Sequence, residues 1–481
     1  LRERTIRCFV PVPFWSIKAK IIIGITTFEV THEKKVIERK QQAQALTDIC
    51  KQKFGAIINV QEEKIVHPPP VAFDLGSLQK EAYKIFRCTP THTLSIAQKL
   101  YLDALISYPR TSSQKLPPQI GYEKILKKLA ENSQYTKLAE ELLSKQQIKP
   151  NEGKKEDAAH PAIYPTGKIP QKQLVGIEKN IYNLIVHRFL AVFGDNALLQ
   201  KIKATIEIGG EKFSLNGKQI CDEGWLHFYR PFTQLKDKPL PRMVEGQIVK
   251  VEKILLEDKF TKPPLRYNPS SLLNKMEKEN IGTKATRAGI IETLYERKYI
   301  QQEKIEVSDL GFEVVDVLSK YCPEVVSAQF TQEIERRMDR IQQNKDSKEK
   351  ILSDVKEVLK IVTTKLKKNE KTIGRQLSKA LVNGNLKRLE IGPCPICSDG
   401  KLVIFDSKKN QNRFVVCTNY LEGTCKATFS LPQRGKIKPS GKLCRSCNWY
   451  TLKVSTTGKN FQTLCFNPKC ASKKRGVNLE L

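Results

Sequence analysis

The sequence has no run of about 18 apolar residues, so no segment of it is typical of a membrane-spanning helix. It has no signal-peptide pattern either, and we expect a cytoplasmic protein with no membrane partner. A Gly-x4-Gly-Lys-Ser/Thr phosphate loop is also missing, since GEKFSLNGKQ at 210–219 fails in both spacing and final residue. These absences argue against membrane transport, secretion and P-loop nucleotide hydrolysis.

Acidic residues are scarce relative to basic ones. The chain has 83 Lys and Arg against 51 Asp and Glu, a formal net charge of +32. A chain this basic favours a polyanionic partner. Nucleic acid is the first candidate, because Lys and Arg release counterions from phosphates, and an anionic membrane surface is the second.

The first residue is Leu1 rather than methionine. The opening RTIRCFVPVPFWSIKAK (4–20) has the pattern of one strand edge leading into another, as in the middle of a domain. We therefore expect that N-terminal sequence is missing.

Strand-like and helix-like blocks alternate along the chain. Residues 14–66 and 200–257 are rich in β-branched residues, whereas 70–195 and 269–380 have helical spacing. Long alternating blocks favour an α+β multidomain protein over a repeated βαβ fold. We expect one domain made of both strand-rich blocks, with the helical block at 70–195 inserted between them.

Cysteine is sparse before residue 394 and dense after it. The five single cysteines are Cys8, Cys50, Cys88, Cys221 and Cys322. The other eight form two modules that each open with Cys-x-x-Cys: Cys394, Cys397, Cys417 and Cys425, then Cys444, Cys447, Cys465 and Cys470. Four thiolates in two pairs suit tetrahedral zinc, so the sequence predicts two structural Zn²⁺ sites, with disulfides as the alternative.

The cysteine-rich end is strongly basic and carries aromatic residues among its cations. Residues 381–481 contain 18 Lys and Arg but 5 Asp and Glu. Proteins hold single-stranded nucleic acid without sequence preference through cations along the phosphate backbone and aromatic rings on which bases stack. The alternative is that the rings form the small cores of two zinc ribbons, and we expect about half of them to do so.

The stretch LISYPRTSS (105–113) follows two helical patterns, at 75–86 and 91–105. A tyrosine that attacks a phosphodiester needs a cation nearby, because its phenol has a pKa of about 10 and the phosphoryl oxygens gain charge. Arg110 lies two residues after Tyr108, on the same side of an extended segment, and its planar group can hold two phosphate oxygens. Taken alone, Tyr-x-Arg is weak evidence, since most tyrosines are packing residues.

The wider passage resembles the active-site region of type IA DNA topoisomerases. Its matching parts are Leu78-Gln79, Ala97-Gln98, Leu100-Tyr101 and the stretch from Ile106 to Ser113. DAAHPAIYPTG (157–167), GWLHFYRP (224–231) and the 263–300 segment resemble further motifs of this family, and the resemblance covers most of residues 9–340. The chain departs from the family pattern at Ala104, where glycine is usual, and at Ser112, where aspartate is common.

The resemblance implies roles for individual side chains. Tyr108, Arg110 and His160 would be catalytic. The residues implied to contact DNA are Gln79, Gln98, Thr111, Ser113, Arg266, Lys284, Thr286 and Arg287.

The fold implied is an α+β multidomain, toroidal type IA gate with an inserted helical tyrosine domain and tandem C-terminal zinc ribbons. Residues 1–20 would be a remnant entering the core, and 21–68 with 199–260 the β-rich gate domain. The helical tyrosine domain would span 69–198, the helical DNA-binding core domain 261–380, and the ribbons 386–431 and 440–481.

The activity implied is ATP-independent breakage, passage and rejoining of single-stranded DNA through a 5′-phosphotyrosyl ester, which relaxes negative supercoils or decatenates. The family's acidic cluster for proton transfer and Mg²⁺ has no counterpart, since no two aspartates stand at i and i+2. We therefore expect a portion of such an isomerase that lacks the Mg²⁺ site and is inactive alone.

We also expect a monomer. The tandem cysteine modules, the charge-dense helices and only 3 methionines favour an archaeal and thermophilic source.

Two other classes of function remain as alternatives. A catalytically inert single-stranded DNA-binding fragment would use the same basic surface. A tyrosine recombinase would also use Tyr and Arg on phosphate, but it would retain the 3′ end of the broken strand, whereas type IA enzymes retain the 5′ end.

Overall fold

The structure is a computed structural model that describes residues 1–233, 235, 237–342, 345–377, 390–397, 399–406, 413–420, 423–455 and 461–471. The parts of the expected domains at 378–380, 386–389 and 472–481 lie outside these residues. The chain divides into two units, one of Leu1–Glu296 with Gln302–Glu306, and one of Arg297–Gln301 with Val307–Leu481. No helix among the described residues is long and apolar enough to cross a membrane.

A closed six-stranded barrel of order β1-β2-β5-β4-β3-β6 lies in the first unit. Its strands are β1 (Pro13–Ile23), β2 (Thr26–His32), β3 (Phe54–His67), β4 (Ala197–Ile208), β5 (Glu211–Asp222) and β6 (Ile248–Phe260). Along β1 the buried Ile17, Ala19 and Ile21 alternate with more exposed residues and fill the interior. Helix α2 (Lys40–Ile49) packs its buried Ala43 against this core.

A helical segment is inserted between strands β3 and β4 of the barrel. Its helices are α3 (Leu75–Phe86), α4 (Pro90–Leu102), α5 (Tyr122–Ala130), α6 (Thr136–Leu143) and α7 (Gly176–Ala191), and α8 (Trp225–Phe228) follows β5. Asp74 begins α3 with a reciprocal capping box to Ser77. Helix α7 is buried nearly all round, so it forms the centre of this segment's own core.

The first residues form a helix, α1 (Arg2–Arg7), and not the strand edge that the sequence pattern suggests. The strand prediction is wrong here because Glu3 is buried and ion-paired. Its carboxylate accepts from the guanidinium of Arg266 at 3.0 and 3.2 Å and lies 3.7 Å from Arg7 one turn on. A buried carboxylate needs such partners, and the helical spacing of Glu3 and Arg7 brings one of them to it.

Two further helices of the first unit, α9 (Pro269–Lys278) and α10 (Arg287–Glu296), have a small core of their own. This core contains Leu273, Met276, Ala288 and Ile291 and is separate from that of the inserted helices. Asn268 caps α9 with a second capping box. Helices α9 and α10 thus add a second, smaller core to the first unit.

The second unit contains helices and two small antiparallel sheets. Its helices are α11 (Asp309–Tyr321), α12 (Ala328–Gln342) and α13 (Lys348–Lys368), and the short strands β7 (Ile300–Gln301) and β8 (Glu306–Val307) precede them in the chain. One sheet contains β9 (Glu390–Pro393), β10 (Lys401–Asp406), β11 (Arg413–Cys417) and β12 (Thr428–Ser430). The other contains β13 (Lys436–Leu443), β14 (Tyr450–Ser455) and β15 (Gln462–Cys465).

Candidate active site and metal centres

The tyrosine segment, residues 105–113, is held in place by backbone hydrogen bonds. Ile106 pairs with Pro165 in an isolated bridge, and the Ser107 N–H donates to the carbonyl of Tyr164 at 2.9 Å. On the other side the Leu75 N–H donates to the carbonyl of Thr111 at 3.0 Å. The segment is thus fixed between the start of α3 and the 162–166 segment.

Tyr108 lies between two other aromatic rings. Its ring centroid is 4.4 Å from that of His160 and 5.3 Å from that of Tyr101 on α4, the latter edge-on. The ring is half-buried, and its hydroxyl has no hydrogen-bond partner in the described part of the chain. The site therefore contains a fixed ring and a hydroxyl that a substrate can reach.

Arg110 is oriented by helix α4. Its Nε donates to the Oε1 of Gln98 at 3.2 Å. The described residues give its terminal nitrogens no partner, and the side chain is half-buried. Gln98 thus aims the guanidinium and leaves its two-pronged end available for an anion.

Three of the predicted DNA contacts are buried inside the protein. Gln79 donates to the carbonyl of Pro90 at 2.9 Å, and the hydroxyl of Thr111 donates to the carbonyl of His160 at 3.1 Å. The hydroxyl of Ser113 accepts from the Lys115 N–H at 3.1 Å. Of the three, Thr111 joins the tyrosine segment to the histidine segment, Gln79 joins α3 to the start of α4, and Ser113 makes a local turn. Their contact with DNA stays a prediction.

Asp157 begins the DAAHPAIYPTG motif, and the sequence pattern predicts no role for it. Its side chain is 7% exposed and forms an ion pair with Lys284. Its Oδ2 also accepts from the N–H and hydroxyl of Ser112 at 3.1 and 3.0 Å, and its Oδ1 accepts from the Ala159 N–H at 3.2 Å. One carboxylate thus bonds the tyrosine segment, the histidine segment and Lys284.

The pKa of Asp157 lies well below its ordinary value. Burial alone would raise it, but hydrogen bonds from Lys284, Ser112 and Ala159 outweigh burial by stabilising the charged form. Asp157 is therefore a carboxylate at neutral pH.

A second, half-buried carboxylate, Glu277, lies between two lysines. It contacts Lys80 of α3 and Lys155, each at 2.6 Å, and Lys155 also lies 3.3 Å from Asp74. Burial would raise the pKa of Glu277, but the two lysines lower it to about 2. These pairs, with Lys284 and Asp157, connect the inserted helices to α9 and the turn after it.

The other predicted DNA contacts differ in how far their side chains are already bonded within the protein. Arg266 is occupied by Glu3 and lies 3.6 Å from Glu306. The Nε of Arg287 donates to the carbonyl of Ile281 at 3.0 Å, and the hydroxyl of Thr286 accepts from the Thr283 N–H at 2.9 Å. The structure places Lys284, Thr286 and Arg287 together at the start of α10, whereas Arg266 lies with α1.

The eight clustered cysteines form two four-sulfur sites. Within each site all four sulfurs lie within 4.8 Å of one another. The separations Cys394–Cys425, Cys397–Cys417, Cys444–Cys470 and Cys447–Cys465 are 3.9, 3.6, 3.7 and 3.6 Å. A zinc tetrahedron with bonds of about 2.3 Å has edges of about 3.8 Å, so these donors fit tetrahedral Zn²⁺.

The two cysteine modules share one hydrophobic core. Leu402 and Val415 of the first module belong to the same cluster as Leu452 and Phe466 of the second. Phe429 contacts Trp449 and Phe466 edge-on at centroid distances of 5.6 and 5.7 Å. Tyr420 and Phe461 remain exposed. Some rings thus build a joint core while others face solvent.

Comparison with known proteins gives a consistent result. The family model described as DNA topoisomerase matches residues 1–353. A protein named DNA topoisomerase 1 from Methanothermobacter thermautotrophicus is 40% identical over 476 residues, covering 99% of this chain and 64% of the relative. Another of that name from Pyrococcus horikoshii is 40% identical over 474 residues, covering 98% of this chain and 68% of the relative.

A solved structure supports the fold. Full-length topoisomerase I from Thermotoga maritima matches with a TM-score of 0.60 at 23% identity, over 90% of this chain and 68% of that one. The chain thus spans about two thirds of the length of the proteins that it matches.

Proposed function

Because the chain belongs to the type IA DNA topoisomerase family, we propose that it carries the nucleophile and the DNA-holding surfaces of ATP-independent single-strand breakage and rejoining. The observation that carries this proposal is the arrangement around Tyr108. A reachable phenol hydroxyl lies beside the ring of His160, on a segment whose Arg110 is oriented by Gln98. The substrate is DNA, held as a single strand by a monomer.

The reaction is an exchange of phosphate esters. The hydroxyl oxygen of Tyr108 attacks a backbone phosphorus, the bond from phosphorus to the 3′ oxygen breaks, and the proton of the phenol ends on the 3′-hydroxyl that leaves. The 5′ end is then a phosphotyrosyl ester. After another strand passes, the 3′-hydroxyl attacks the ester and restores both groups, so the bond energy is conserved and no nucleotide is consumed.

Two side chains have roles on the phosphate in this proposal. Arg110 presents its terminal nitrogens to the non-bridging oxygens, whose charge grows as the new bond forms. His160 packs on the nucleophile's ring and lies within the same small site. The group at the start of α10 (Lys284, Thr286 and Arg287) holds the strand, as do Gln98 and the more distant Arg266.

No step of this proposal is assigned to a carboxylate of the chain. Asp157 and Glu277 are engaged by lysines, and the only groups of three or more possible metal ligands in the described residues are the two cysteine sets. The acidic partner and Mg²⁺ of the reaction would therefore be supplied from residues outside this sequence.

The two cysteine sites would hold structural zinc. A four-thiolate site has no open position for a substrate, so the metal would hold the ribbon fold and take no part in strand cleavage. The six-stranded barrel, β1 to β6, would serve as the arm of the gate. The inserted helices (69–198) would carry Tyr108 with them when the gate opens.

A second candidate function is single-strand binding without cleavage. The cysteine-rich end favours it, because it is strongly basic and leaves Tyr420 and Phe461 exposed for base stacking. This function needs the same surfaces but no nucleophile.

A trapping experiment separates the two candidates. A single-stranded oligonucleotide with distinguishable labels at its two ends is mixed with the chain alone, or with Mg²⁺ and the part of the Methanothermobacter relative that this chain does not match. We expect a covalent adduct that keeps the 5′-phosphate side, forms in the mixture, disappears in Tyr108→Phe and persists in the neighbouring control Tyr101→Phe. Tight binding with no adduct in any mixture would leave the binding function in its place.

A further inference from the structure

Asp157 occupies a position that the proposed chemistry does not use. It neither touches the Tyr108 ring nor belongs to a metal cluster, yet its carboxylate accepts four hydrogen bonds and is almost fully buried. A buried carboxylate with this many donors stabilises the geometry around it strongly, because losing it would leave those donors unpaired.

Its partners lie on both sides of the proposed nucleophile. Ser112 is four residues after Tyr108 on the tyrosine segment, and Ala159 immediately precedes His160. The Thr111 hydroxyl adds a parallel link to the carbonyl of His160 at 3.1 Å. The Asp157 carboxylate thus bonds the Ser112 end of the tyrosine segment to the chain just before His160.

The third partner, Lys284, comes from a part of the chain outside the inserted helices. It lies 127 residues further along the chain, just before α10, whose core is separate from that of the inserted helices. Its ammonium group has three donors, and Asp157 takes one of them, so the others remain for a phosphate. The side chain is 39% exposed, which makes those donors reachable.

We propose that Asp157 is a positioning residue for strand cleavage, which sets Tyr108 against His160 and ties both to the strand-holding Lys284. This inference rests on the proposed function. In this proposal Asp157 does not contact the substrate. Its effect is on the rate of the covalent step, because binding depends on cations and rings whose number it does not change.

The test compares Asp157→Asn with Asp157→Glu and with Glu156→Gln, the last a neighbouring exposed carboxylate without a partner in the described residues. Asn has the same shape, but its amide nitrogen cannot accept a hydrogen bond. Single-turnover adduct formation is measured at saturating oligonucleotide, in the mixture described above. The dissociation constant is measured separately by fluorescence anisotropy on the intact chain.

We expect Asp157→Asn to form adduct at least about tenfold more slowly while its dissociation constant stays within about twofold of the unsubstituted chain. Asp157→Glu recovers part of the rate because it keeps the acceptor charge, and Glu156→Gln matches the unsubstituted chain in both readings. If Asp157→Asn does not fold, Ser112→Ala removes one of the four bonds and is expected to show a smaller loss of the same kind.

Two results would overturn the inference and leave the proposed function standing. One is an unchanged adduct rate in Asp157→Asn, with Tyr108→Phe still inactive. The other is a dissociation constant that rises as much as the rate falls, which would make Asp157 part of the DNA-binding surface. Failure of the unsubstituted chain to form adduct in any mixture would instead remove the proposed function and this inference together.

Discussion

At the scale of single residues, Ala104 adopts a backbone conformation that favours glycine. Its φ is +58°, it is exposed, and its carbonyl accepts from the Thr166 hydroxyl at 2.7 Å. This conformation ends α4 at Leu102, so the helix stops earlier than the 91–105 spacing predicts. A side chain in the left-handed region costs about 1–2 kcal/mol. Glycine avoids this cost, but it loses more chain entropy on folding, which offsets part of the gain in stability.

We therefore expect Ala104→Gly to raise the free energy of unfolding of the inserted helical segment by about 0.5–1 kcal/mol. Urea denaturation, monitored by circular dichroism, measures this free energy of unfolding. The matched control Ala104→Val should have the opposite effect, because a β-branched side chain tolerates this conformation least. A destabilised glycine variant would contradict the geometry at this turn.

At the residue scale the sequence predicts local motifs, but it does not predict which distant residues their side chains contact. The spacing of Tyr108 and Arg110, and the histidine motif, pointed to a site, and the structure places the rings of Tyr108 and His160 4.4 Å apart. Asp157 was not assigned because its partners lie 45 and 127 residues away. Nothing in a local pattern indicates such distant partners.

At the scale of elements, Glu277 makes the junction between α3 and α9 sensitive to acid. Its pKa in the folded protein is about 2, below the ordinary 4.5. A carboxyl group with a lowered pKa contributes stability above its ordinary pKa, and this contribution disappears as the pH falls from about 4.5 to 2. The contacts with Lys80 and Lys155 weaken over that range.

We expect Glu277→Gln to lower stability at pH 7 by about 1–3 kcal/mol and to flatten the pH dependence between 4.5 and 2. Denaturation at a series of pH values measures both effects. Glu279→Gln, which changes an exposed pair with Lys275 within the same helix, should have little effect. Equal pH profiles for Glu277→Gln and the unsubstituted chain would rule out this role for Glu277.

The two cysteine modules give a second prediction at this scale, because their shared core couples them. Cys447→Ser should lose the zinc of its own module and should release the remaining zinc to a chelator at least about tenfold faster. Zinc analysis and a colorimetric release assay measure both, with Cys221→Ser, an exposed single cysteine, as the control. An unchanged release rate from the first module would show that the modules fold independently.

Secondary-structure patterns predicted many elements correctly, and the exceptions have physical causes. Helix α3 spans the predicted 75–86, and strands β1 and β2 fall within the strand-rich block at 14–66 to within a residue. Helix α1 was missed because it depends on the ion pairs of Glu3, one of which comes from Arg266. The joint core of the ribbons also lay beyond prediction, since it depends on contacts between modules.

At the scale of the whole molecule, the net charge of +32 predicts how binding responds to salt. Phosphate contacts release counterions, so affinity for a single strand falls steeply as salt rises. We expect the dissociation constant for a single-stranded oligonucleotide to increase by about 10²-fold or more between about 50 and 200 mM salt, if about six phosphates are contacted. Fluorescence anisotropy measures it, and an increase below about threefold would show that charge does not drive binding.

At this scale the sequence predicts a nucleic-acid partner and two metal sites, because charge and cysteine spacing are properties of the sequence itself. The closed barrel could not be read from it, since its closure depends on β3 pairing with β6 across nearly 200 residues. The division of the chain into two units depends likewise on contacts between distant segments.

The most direct test of the central claim is to identify the residue that becomes covalently bound to DNA. The adduct trapped from the mixture is digested with protease and nuclease, and the peptide that carries a nucleotide is sequenced by mass spectrometry. We predict that Tyr108 is the modified residue and that it is linked to a 5′-phosphate. A nucleotide on any other residue, or a link to the 3′ end, would contradict the account.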